Sequence, residues 1–320
     1  MIRRSFIAAV AAVATLPFQA QAQGVSGSLL LYTSQPEKMA AETVTAFNAK
    51  HPGVKVELFR SGTTEVMNKL RTEIAAGAPQ PDLIFIADAM TMEALKAEGR
   101  LLAFPDAPVA GLSPASYDKD RTYFGTKLIT TGIVYNKKAS FVPQTWADLL
   151  KPEAKNLVSL PSPLYSGAAA IHMGVLAMQP GIGMDFFKKL AANGAVRKSV
   201  ADGEKMFGIL VDFMAISEAQ KGAPIGFVFP TDGVTAVTEP VAILKTAKNP
   251  AAAKAFVAFL LSEDGQRLAA NQGMLPAHEK VSGPPGFPAL SAIKVLNADI
   301  PAILKNDEAN KKSFADLFGG

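Results

Sequence analysis

The chain has 320 residues, 49% of them apolar, with a formal net charge of only +4, three histidines and no cysteine. These figures exclude disulfides and thiolate chemistry, and they leave room for two domains of ordinary size. No cluster of basic residues offers the run of phosphate contacts that nucleic-acid binding needs, so we expect no nucleic-acid partner.

The first 22 residues have the pattern of a secretory signal peptide. Arg3 and Arg4 precede an apolar run over 6–18, and a small-x-small tripeptide follows at 20–22. The run is shorter than the roughly 20 residues that span a bilayer. Since position 23 offers no cysteine for a lipid anchor, we expect a soluble periplasmic protein. The arginine pair leaves the general and the twin-arginine export routes both open.

Strands and helices alternate over the next part of the chain. The predicted elements are a strand at 28–32, a helix from 36 to about 50, a strand at 54–59, a helix at 61–77, a strand at 83–86 and a helix from about 91 to 98. This order is typical of an α/β domain with a mainly parallel sheet.

A second α/β domain is predicted after a crossing strand at 132–136. Its predicted elements are a helical stretch from 146, a strand at 157–160, helices at about 166–178 and 184–192, and strands at 208–211 and 225–229. A strand at 237–244 is expected to return the chain to the first domain, where one long helix covers 250–270. A last helix is expected from Pro301.

These elements predict two lobes joined by two or three crossings. The first lobe should comprise 24–131 together with 242–275, and the second lobe should comprise 137–238. The tail over 276–320 is not assigned to either lobe.

Motifs of catalysis are scarce in this sequence. It contains no G-x-S-x-G, no phosphate-binding loop and no H-E-x-x-H, and Gly181 and Gly183 form only part of a dinucleotide fingerprint. The three histidines lie far apart, and the usual nucleophiles and general bases are few. We therefore expect no cofactor and no bound metal, and binding is favoured over catalysis.

Small and polar residues mark the starts of three predicted helices. They are Ser34 and Gln35, then Ser61, Gly62 and Thr63, and then Ser166, Gly167 and Ala168. Each group alone fits simple helix capping. Free N–H groups at a helix start also bind anions, and ligands of open α/β sheets lie beyond the carboxyl ends of the strands. Three such groups in two domains favour an anion-binding cleft.

Two aspartates directly follow apolar strands. Asp88 comes after the strand at 83–86, and Asp212 comes after the strand at 208–211. Each residue fits a turn or a helix cap. Each also fits a carboxylate at the rim of the cleft that receives a cationic group or a hydroxyl, and both interpretations remain open.

Six segments together carry a family resemblance. They are LYTSQPEKMAAETVTAFNAKHPGVKVEL, PDLIFIADAMTMEALKAEGRL, GIVYNKK, PSPLYSGAAA, GILVDFMAI and NPAAAKAFVAFLLSEDGQRL. With these segments the chain resembles the periplasmic substrate-binding proteins of ABC importers, in the branch that binds ferric iron or 2-aminoethylphosphonate. The resemblance implies a two-lobed α/β fold of type II, each lobe a mainly parallel sheet flanked by helices, with the ligand cleft between the lobes. It also implies a monomer.

The resemblance does not extend to the iron ligands. Iron-binding members of this branch use a histidine after the first strand, a glutamate after the third and two adjacent tyrosines in the second domain. Here Pro36 occupies the histidine position, and Asp88 lies at or near the glutamate position. Phe213 and Met214 replace the tyrosines. Ferric iron requires oxygen ligands, so we expect the iron chemistry to be lost.

The anion-binding residues of the same branch are retained at 166–168, which implies a phosphonate binder. The resemblance assigns Asp212, beside Phe213, to an ammonium group, and Lys198 or Ser199 to a further phosphonate contact. We expect a carrier without enzymatic activity that closes on 2-aminoethylphosphonate or a related phosphonate or phosphate ester. It would then deliver this small anionic solute to an ABC permease in the inner membrane.

Three alternatives stay open. The first is a ferric-iron carrier that uses an exogenous anion. The second is a periplasmic hydrolase or transferase on an α/β scaffold. The third is a receptor that presents its ligand to a sensor protein rather than to a permease.

Overall fold

The computed structural model describes residues 24–196, 200–288 and 292–319. The predicted signal peptide at 1–22 therefore lies outside the described residues, as do Lys198 and Ser199. Within the described ranges, no helix combines the length and apolar character that a membrane crossing requires.

The described residues form two sheets and the helices around them. The strands are β1 (Gly27–Thr33), β2 (Val54–Arg60), β3 (Leu83–Phe85), β4 (Tyr123–Gly125), β5 (Lys127–Asn136), β6 (Val158–Ser159), β7 (Phe207–Val211), β8 (Ile225–Val228), β9 (Thr235–Val237), β10 (Pro240–Ile243) and β11 (Leu275–Pro276). The α-helices are α1 (Glu37–Lys50), α2 (Thr63–Ala75), α3 (Ala89–Ala97), α4 (Gly167–Met178), α5 (Gly183–Ala192), α6 (Asp212–Gln220), α7 (Pro250–Leu261), α8 (Glu263–Asn271) and α9 (Ile300–Phe318). Short 3₁₀ helices lie at Pro114–Ser116, Trp146–Leu150 and Pro152–Ala154.

The first sheet has the strand order β2-β1-β3-β10-β4. β1 is parallel to β2 and β3, and β10 is antiparallel to both β3 and β4. β10 is thus the one strand of this sheet that runs against the others. Buried apolar side chains of β1 and α7 fill one face, where Phe47 of α1 packs edge-on against Phe256 at a ring separation of 4.9 Å.

The second sheet is arranged around the long strand β5. This strand pairs antiparallel with β7, β8, β9 and β11, and β6 is parallel to β7. All its partners therefore run in one direction, and β5 is the exception, as β10 is in the first sheet. Trp146, Phe186 and Phe187 are buried in the apolar core on this side. The expectation of two α/β sheets is confirmed, but four of the five described strand pairs of the second sheet are antiparallel, because β5 runs against all its partners.

In the described part of the chain, three segments pass between the sheets. Thr126 separates β4 from β5, residues 238–239 separate β9 from β10, and residues 272–274 separate α8 from β11. The first two segments are joined directly, because the Thr126 amide donates to the Thr238 carbonyl at 3.0 Å. α9 packs on α4 and α5 beside the second sheet and also on α3 beside the first. The C-terminal tail thus touches both halves.

Several predicted boundaries differ from the structure. The first crossing lies at Thr126 rather than at 132–136, since 127–131 already pair with the second sheet, and the short strand β4 was not predicted. The predicted strand at 237–244 is two strands that belong to different sheets and meet at Glu239. The predicted helix at 250–270 is also two helices, because Ser262 ends α7 and caps α8 through the Gly265 amide.

Candidate ligand-binding cleft

A cleft of about 420 Å³ lies between the two sheets. Its lining comes from the first half (Ser34, Pro36, Arg60, Gly62, Thr63, Ala87), from the second half (Ile129, Thr131, Pro161, Tyr165, Ser166, Ala169, Leu210, Val211, Phe213, Met214) and from the crossing residue Glu239. It therefore contains a member of each of the three groups of small and polar residues that the sequence singled out.

The floor of the cleft on the first half is the carboxyl edge of parallel strands. Arg60 is the last residue of β2, Ser34 follows β1, and Ala87 follows β3. The Ala87 amide donates to Ser34 Oγ at 3.1 Å, which joins the ends of β1 and β3. Arg60 Nε donates to the Gln35 carbonyl at 2.7 Å. This bond directs the guanidinium toward the end of β1 and leaves its cationic group at the cleft.

Gln35 is buried beside these residues, with 1% of its surface exposed. Its backbone amide donates to Thr33 Oγ1 at 3.1 Å. Neither atom of its side-chain amide has a hydrogen-bond partner among the described residues. A buried amide without partners is costly, so a water or ligand group is the expected partner of this side chain.

The start of α2 lies directly against the second half. Gly62 is the N-cap of α2, and a Cβ at this position would lie 2.3 Å from the Tyr165 ring. The Thr64 amide donates across the cleft to the Tyr165 carbonyl at 3.5 Å. Only glycine allows this approach. Ser61, which precedes the cap, donates through its hydroxyl to Glu65 and does not line the cleft.

The start of α4 approaches the first half equally closely. Ser166 is the N-cap and accepts a hydrogen bond from the Ala169 amide at 3.3 Å. A Cβ on Gly167 would lie 2.6 Å from the Ala87 carbonyl oxygen. The amides of Gly167 and Ala168 belong to the first turn, where no carbonyl of the same helix can accept from them. Neither Gly167 nor Ala168 is among the described residues that line the cleft. Gly167 lines a neighbouring cavity, and Ala168 is buried in an apolar cluster with Met90 of α3.

The electrostatics of the cleft favour an anion. Two helix starts converge on it, and each carries about half a positive charge. Arg60 adds a full positive charge. Glu239 is the carboxylate in the described lining, and its Oε2 lies 2.7 Å from Nζ of the buried Lys127, so its charge is balanced. Phe213 and Met214 make the neighbouring wall apolar.

Asp212 lies behind this wall and does not line the cleft, contrary to its expected role toward an ammonium group. It is 1% exposed, and its Oδ2 accepts bonds from the Thr130 amide at 3.0 Å and the Thr130 hydroxyl at 2.7 Å. Oδ1 accepts from the Phe213 amide. Burial raises the pKa of Asp212 to about 6 despite these bonds. The carboxylate anchors α6 to β5.

Asp88 is also turned away from the cleft. It caps α3, accepting bonds from the amide and the hydroxyl of Thr91, and burial raises its pKa. It lines a separate cavity of about 560 Å³ between α2, α3 and α9, to which Gly167 and Thr63 also contribute. The structure thus keeps Asp88 near the cleft but gives its oxygens a structural role.

Four polar or charged lining residues were not among the predicted site residues. They are Arg60, Thr131, Tyr165 and Glu239. Arg60 and Tyr165 directly precede two of the predicted groups, so proximity in the sequence was an available signal. Thr131 and Glu239 lie inside apolar runs, and nothing in the sequence separates them from strand residues. In the part of the chain that the structure describes, no three His, Cys, Asp or Glu residues group as metal ligands.

Known proteins with similar sequences are distant. An uncharacterized protein of Haemophilus influenzae is 28% identical over 272 residues, covering 77% of this chain and 76% of that protein. A putrescine/cadaverine-binding protein of Pseudomonas aeruginosa is 27% identical over 288 residues, covering 78% of each.

Solved structures match the fold closely. The periplasmic binding protein AfuA of Actinobacillus pleuropneumoniae, with fructose-6-phosphate bound, superposes with a TM-score of 0.82 at 24% identity, covering 92% of this chain and 99% of AfuA. Iron-bound HitA of Pseudomonas aeruginosa superposes with a TM-score of 0.77 at 20% identity, covering 89% of this chain and 98% of HitA. The predicted type II periplasmic binding fold is confirmed.

The family model for bacterial extracellular solute-binding proteins matches residues 32–267, which include most strands of both sheets and all of the described cleft lining. The chain therefore belongs to the family of bacterial extracellular solute-binding proteins.

Proposed function

We propose that this protein, the substrate-binding component of an ABC import system, captures a small anionic solute in the cleft and delivers it to the permease. The preferred ligand is a phosphonate or phosphate ester such as 2-aminoethylphosphonate. The proposal includes export to the periplasm, a monomeric state and release of the solute unchanged.

One observation carries the proposal: the starts of α2 and α4 and the side chain of Arg60 meet in a single cleft. Main-chain amides of two helix starts and a guanidinium form a donor set that suits the oxygens of a phosphonate or phosphate group. The hydroxyls of Ser34, Thr63 and Ser166 line the same space and can donate further bonds.

The fold neighbours are compatible with this ligand class but do not decide it. AfuA holds a sugar phosphate, and HitA holds iron, on the same fold. Specificity therefore depends on the side chains of this chain's own cleft.

The cleft is less suited to the two competing ligand classes. A diamine, the ligand class in the name of the Pseudomonas aeruginosa relative, carries a positive charge at each end, and buried charges are generally paired with opposite charges. The described lining has one carboxylate, Glu239, which is paired with Lys127. Ferric iron would need oxygen ligands where Phe213 and Met214 stand, and Tyr165 is the one phenol in the described lining.

We further propose that two lobes close on the ligand about the crossings at Thr126 and Glu239. The contacts of Gly62 with Tyr165 and of Gly167 with Ala87 join opposite walls of the cleft. These contacts must separate before a ligand can enter. Closure then buries the anion against amides that have no other acceptor, which gives both affinity and specificity.

Calorimetric titration of the mature protein tests the function. The panel contains 2-aminoethylphosphonate, inorganic phosphate, glycerol 3-phosphate, putrescine and ferric citrate. We expect binding of at least one phosphonate or phosphate ester, and ³¹P spectra that show the ligand unchanged after incubation. Failure of every phosphorus ligand, or binding of putrescine or iron alone, would reject the proposal.

Two arginine variants, one in the cleft and one outside it, test the role of Arg60 in binding. Arg60→Gln should lower the affinity for the anion by about tenfold or more, since a charge-assisted hydrogen bond is lost. Arg100→Gln removes an exposed guanidinium outside the described cleft lining and should leave affinity unchanged.

A further inference from the structure

Glu239 occupies a position with three unusual features. Its side chain is 3% exposed, yet the residue lines the cleft. Its backbone φ is 37°, in the left-handed region that a non-glycine residue rarely adopts. It is also the residue at which the chain crosses from β9 in the second sheet to β10 in the first. Backbone strain of this kind persists where the surrounding structure enforces it, often at a functional site.

The Glu239 carboxylate retains capacity to accept hydrogen bonds. Its Oε2 lies 2.7 Å from Lys127 Nζ, but the approach is not aligned for a hydrogen bond, and no other donor in the described residues reaches Oε2. An ionised carboxylate has about four acceptor positions. A buried oxygen with unused lone pairs is costly unless a further donor meets it. Because Glu239 is one of the residues that line the cleft, a solute bound there can supply that donor.

Strand order separates Glu239 from the anion-binding groups. One row of register partners crosses the first sheet. Arg60 of β2 pairs with Thr33 of β1, which pairs with Phe85 of β3. Phe85 pairs in turn with Val241 of β10. Arg60 and the start of β10 are therefore three strand spacings apart, about 14 Å between backbones. Both residues line the cleft between these ends. The floor of the cleft is thus cationic at one end and has a carboxylate acceptor at the other.

We infer that Glu239 is the specificity-determining residue of the cleft, and that it selects solutes with a hydrogen-bond donor opposite the anionic group. The donor is an ammonium or a hydroxyl group. This inference rests on the proposed anionic ligand and gives Glu239 the role that the sequence assigned to Asp212 or Asp88. Lys127 compensates the buried charge when the cleft is empty.

A ligand series that differs only in the donor tests the inference. Ethylphosphonate, 2-hydroxyethylphosphonate and 2-aminoethylphosphonate share the anionic group and differ in having no donor, a hydroxyl or an ammonium. Wild-type protein should bind at least one of the two donor-bearing ligands about tenfold more tightly than ethylphosphonate. In Glu239→Gln this ratio should fall to about threefold or less, while ethylphosphonate still binds.

Two further variants test whether a loss of ligand preference in Glu239→Gln has a structural cause instead. Glu239→Gln leaves Lys127 buried without a counter-charge, so the double variant Lys127→Met/Glu239→Gln removes both charges together. It should fold and show the same loss of preference. Glu153→Gln, at an exposed 3₁₀ helix outside the described cleft lining, should keep the wild-type ratio.

The outcomes separate the two proposals. If wild-type protein binds none of the three phosphonates, the proposed function fails and the role of Glu239 fails with it. If all three bind but wild type shows no preference, only the inference about Glu239 is overturned. It is also overturned if the double variant folds and keeps the full preference. A double variant that binds all three ligands more weakly by the same factor overturns it too, since neither result assigns the choice of ligand to Glu239.

Discussion

At the residue scale, two glycines determine how closely the walls of the cleft approach. Gly62 contacts the Tyr165 ring, and Gly167 contacts the Ala87 carbonyl, at distances that leave no space for a Cβ. Both lie at helix starts, so the amides that we assign to the anion are held at the same points where the walls meet. Affinity should therefore respond to small increases in volume here.

Gly167→Ala should weaken phosphonate binding by about 5- to 150-fold. Overpacking by one methyl group costs about 1–3 kcal/mol, and here it destabilises the closed form, in which the walls meet. Gly174→Ala is the matched control on the same helix. Its Cβ would meet Ile303 of α9 at 2.4 Å, away from the cleft lining. This control should lower thermal stability with little change in affinity. Equal affinity of wild type and Gly167→Ala would contradict the assignment.

Buried titratable groups make stability depend on pH in opposite directions. Burial lowers the pKa of His172 to about 3, and its Nδ1 lies 2.9 Å from Thr235 Oγ1. The unfolded chain takes up a proton at this histidine near its ordinary pKa of about 6.5, so its contribution to stability is lost as pH falls below that value. Asp212, with its pKa raised to about 6, loses its contribution as pH rises through 6.

Comparison of His172→Gln with wild type isolates the histidine. At pH 7.5 the variant should be less stable by about 1–3 kcal/mol, because the packing against Trp146 and the bond to Thr235 are altered. The difference should shrink toward pH 4.5, since only wild type has the penalty of a buried histidine that resists protonation. Denaturant unfolding at several pH values measures this. A difference that stays constant with pH would contradict the assignment of a buried neutral histidine.

At the element scale, Gln266 of α8 joins the crossing at Thr126 to the segment that follows β11. Its Nε2 donates to the Thr126 carbonyl at 2.7 Å and to the Leu260 carbonyl at 2.8 Å. Its Oε1 accepts from the amides of Ala277 at 2.8 Å and His278 at 3.1 Å. The side chain is 1% exposed, so all four bonds lie in a buried environment.

Gln266→Leu should lower the free energy of unfolding by about 3 kcal/mol or more, because four buried main-chain groups lose their partner. Gln80→Leu removes an exposed amide that donates to the Ala78 carbonyl and accepts from Lys248 Nζ, and it should change stability by about 0.5 kcal/mol or less, because both bonds lie at the surface. Chemical denaturation of both variants measures the difference. Similar stability of the two would show that the crossings do not depend on Gln266.

The sequence predicted most elements because their signals are local. The apolar runs of β1 and β3 and the caps at Gly62 and Ser166 identify strands and helix starts without knowledge of the fold. The break at Ser262 also had a local signal, a serine followed by two acidic residues, but the long apolar pattern on either side obscured it. Thr126 had none, because β4 has only three residues.

The site was predicted less completely for a physical reason. The positions of Ser34, Gly62, Thr63 and Ser166 follow from strand–helix order. The direction of a side chain depends instead on tertiary partners. Thr130 engages the carboxylate of Asp212, and this contact between distant segments cannot be inferred from local sequence. Asp88 bonds Thr91 three residues further on, which agrees with the helix-cap interpretation that the sequence left open. Glu239 was missed because two strands of different sheets read as one apolar run.

At the scale of the whole molecule, the proposed function requires the two halves to move. The cleft walls are in contact at both glycines, while the covalent connections among the described residues are the three crossings. An apolar cluster that contains Met39, Met90 and Met274 also joins the halves, and flexible methionine side chains can repack when such surfaces separate. The population of the open form should therefore respond to ligand.

Spin labels can measure this motion cleanly, because the chain has no cysteine of its own. Lys69→Cys on α2 with Lys188→Cys on α5 places one label on each half. We expect the distance distribution between the labels to shorten and narrow when a phosphonate is added. Lys151→Cys with Lys188→Cys, both on the second half, should show no change. An unchanged distribution for the first pair would argue against closure.

The most direct test of the central claim is a crystal structure with the tightest ligand of the phosphonate and phosphate panel. The account predicts anionic oxygens within hydrogen-bonding distance of the Gly167 and Ala168 amides, with Arg60 on the same group. A ligand seated elsewhere, or an uncharged or cationic group at the start of α4, would contradict it.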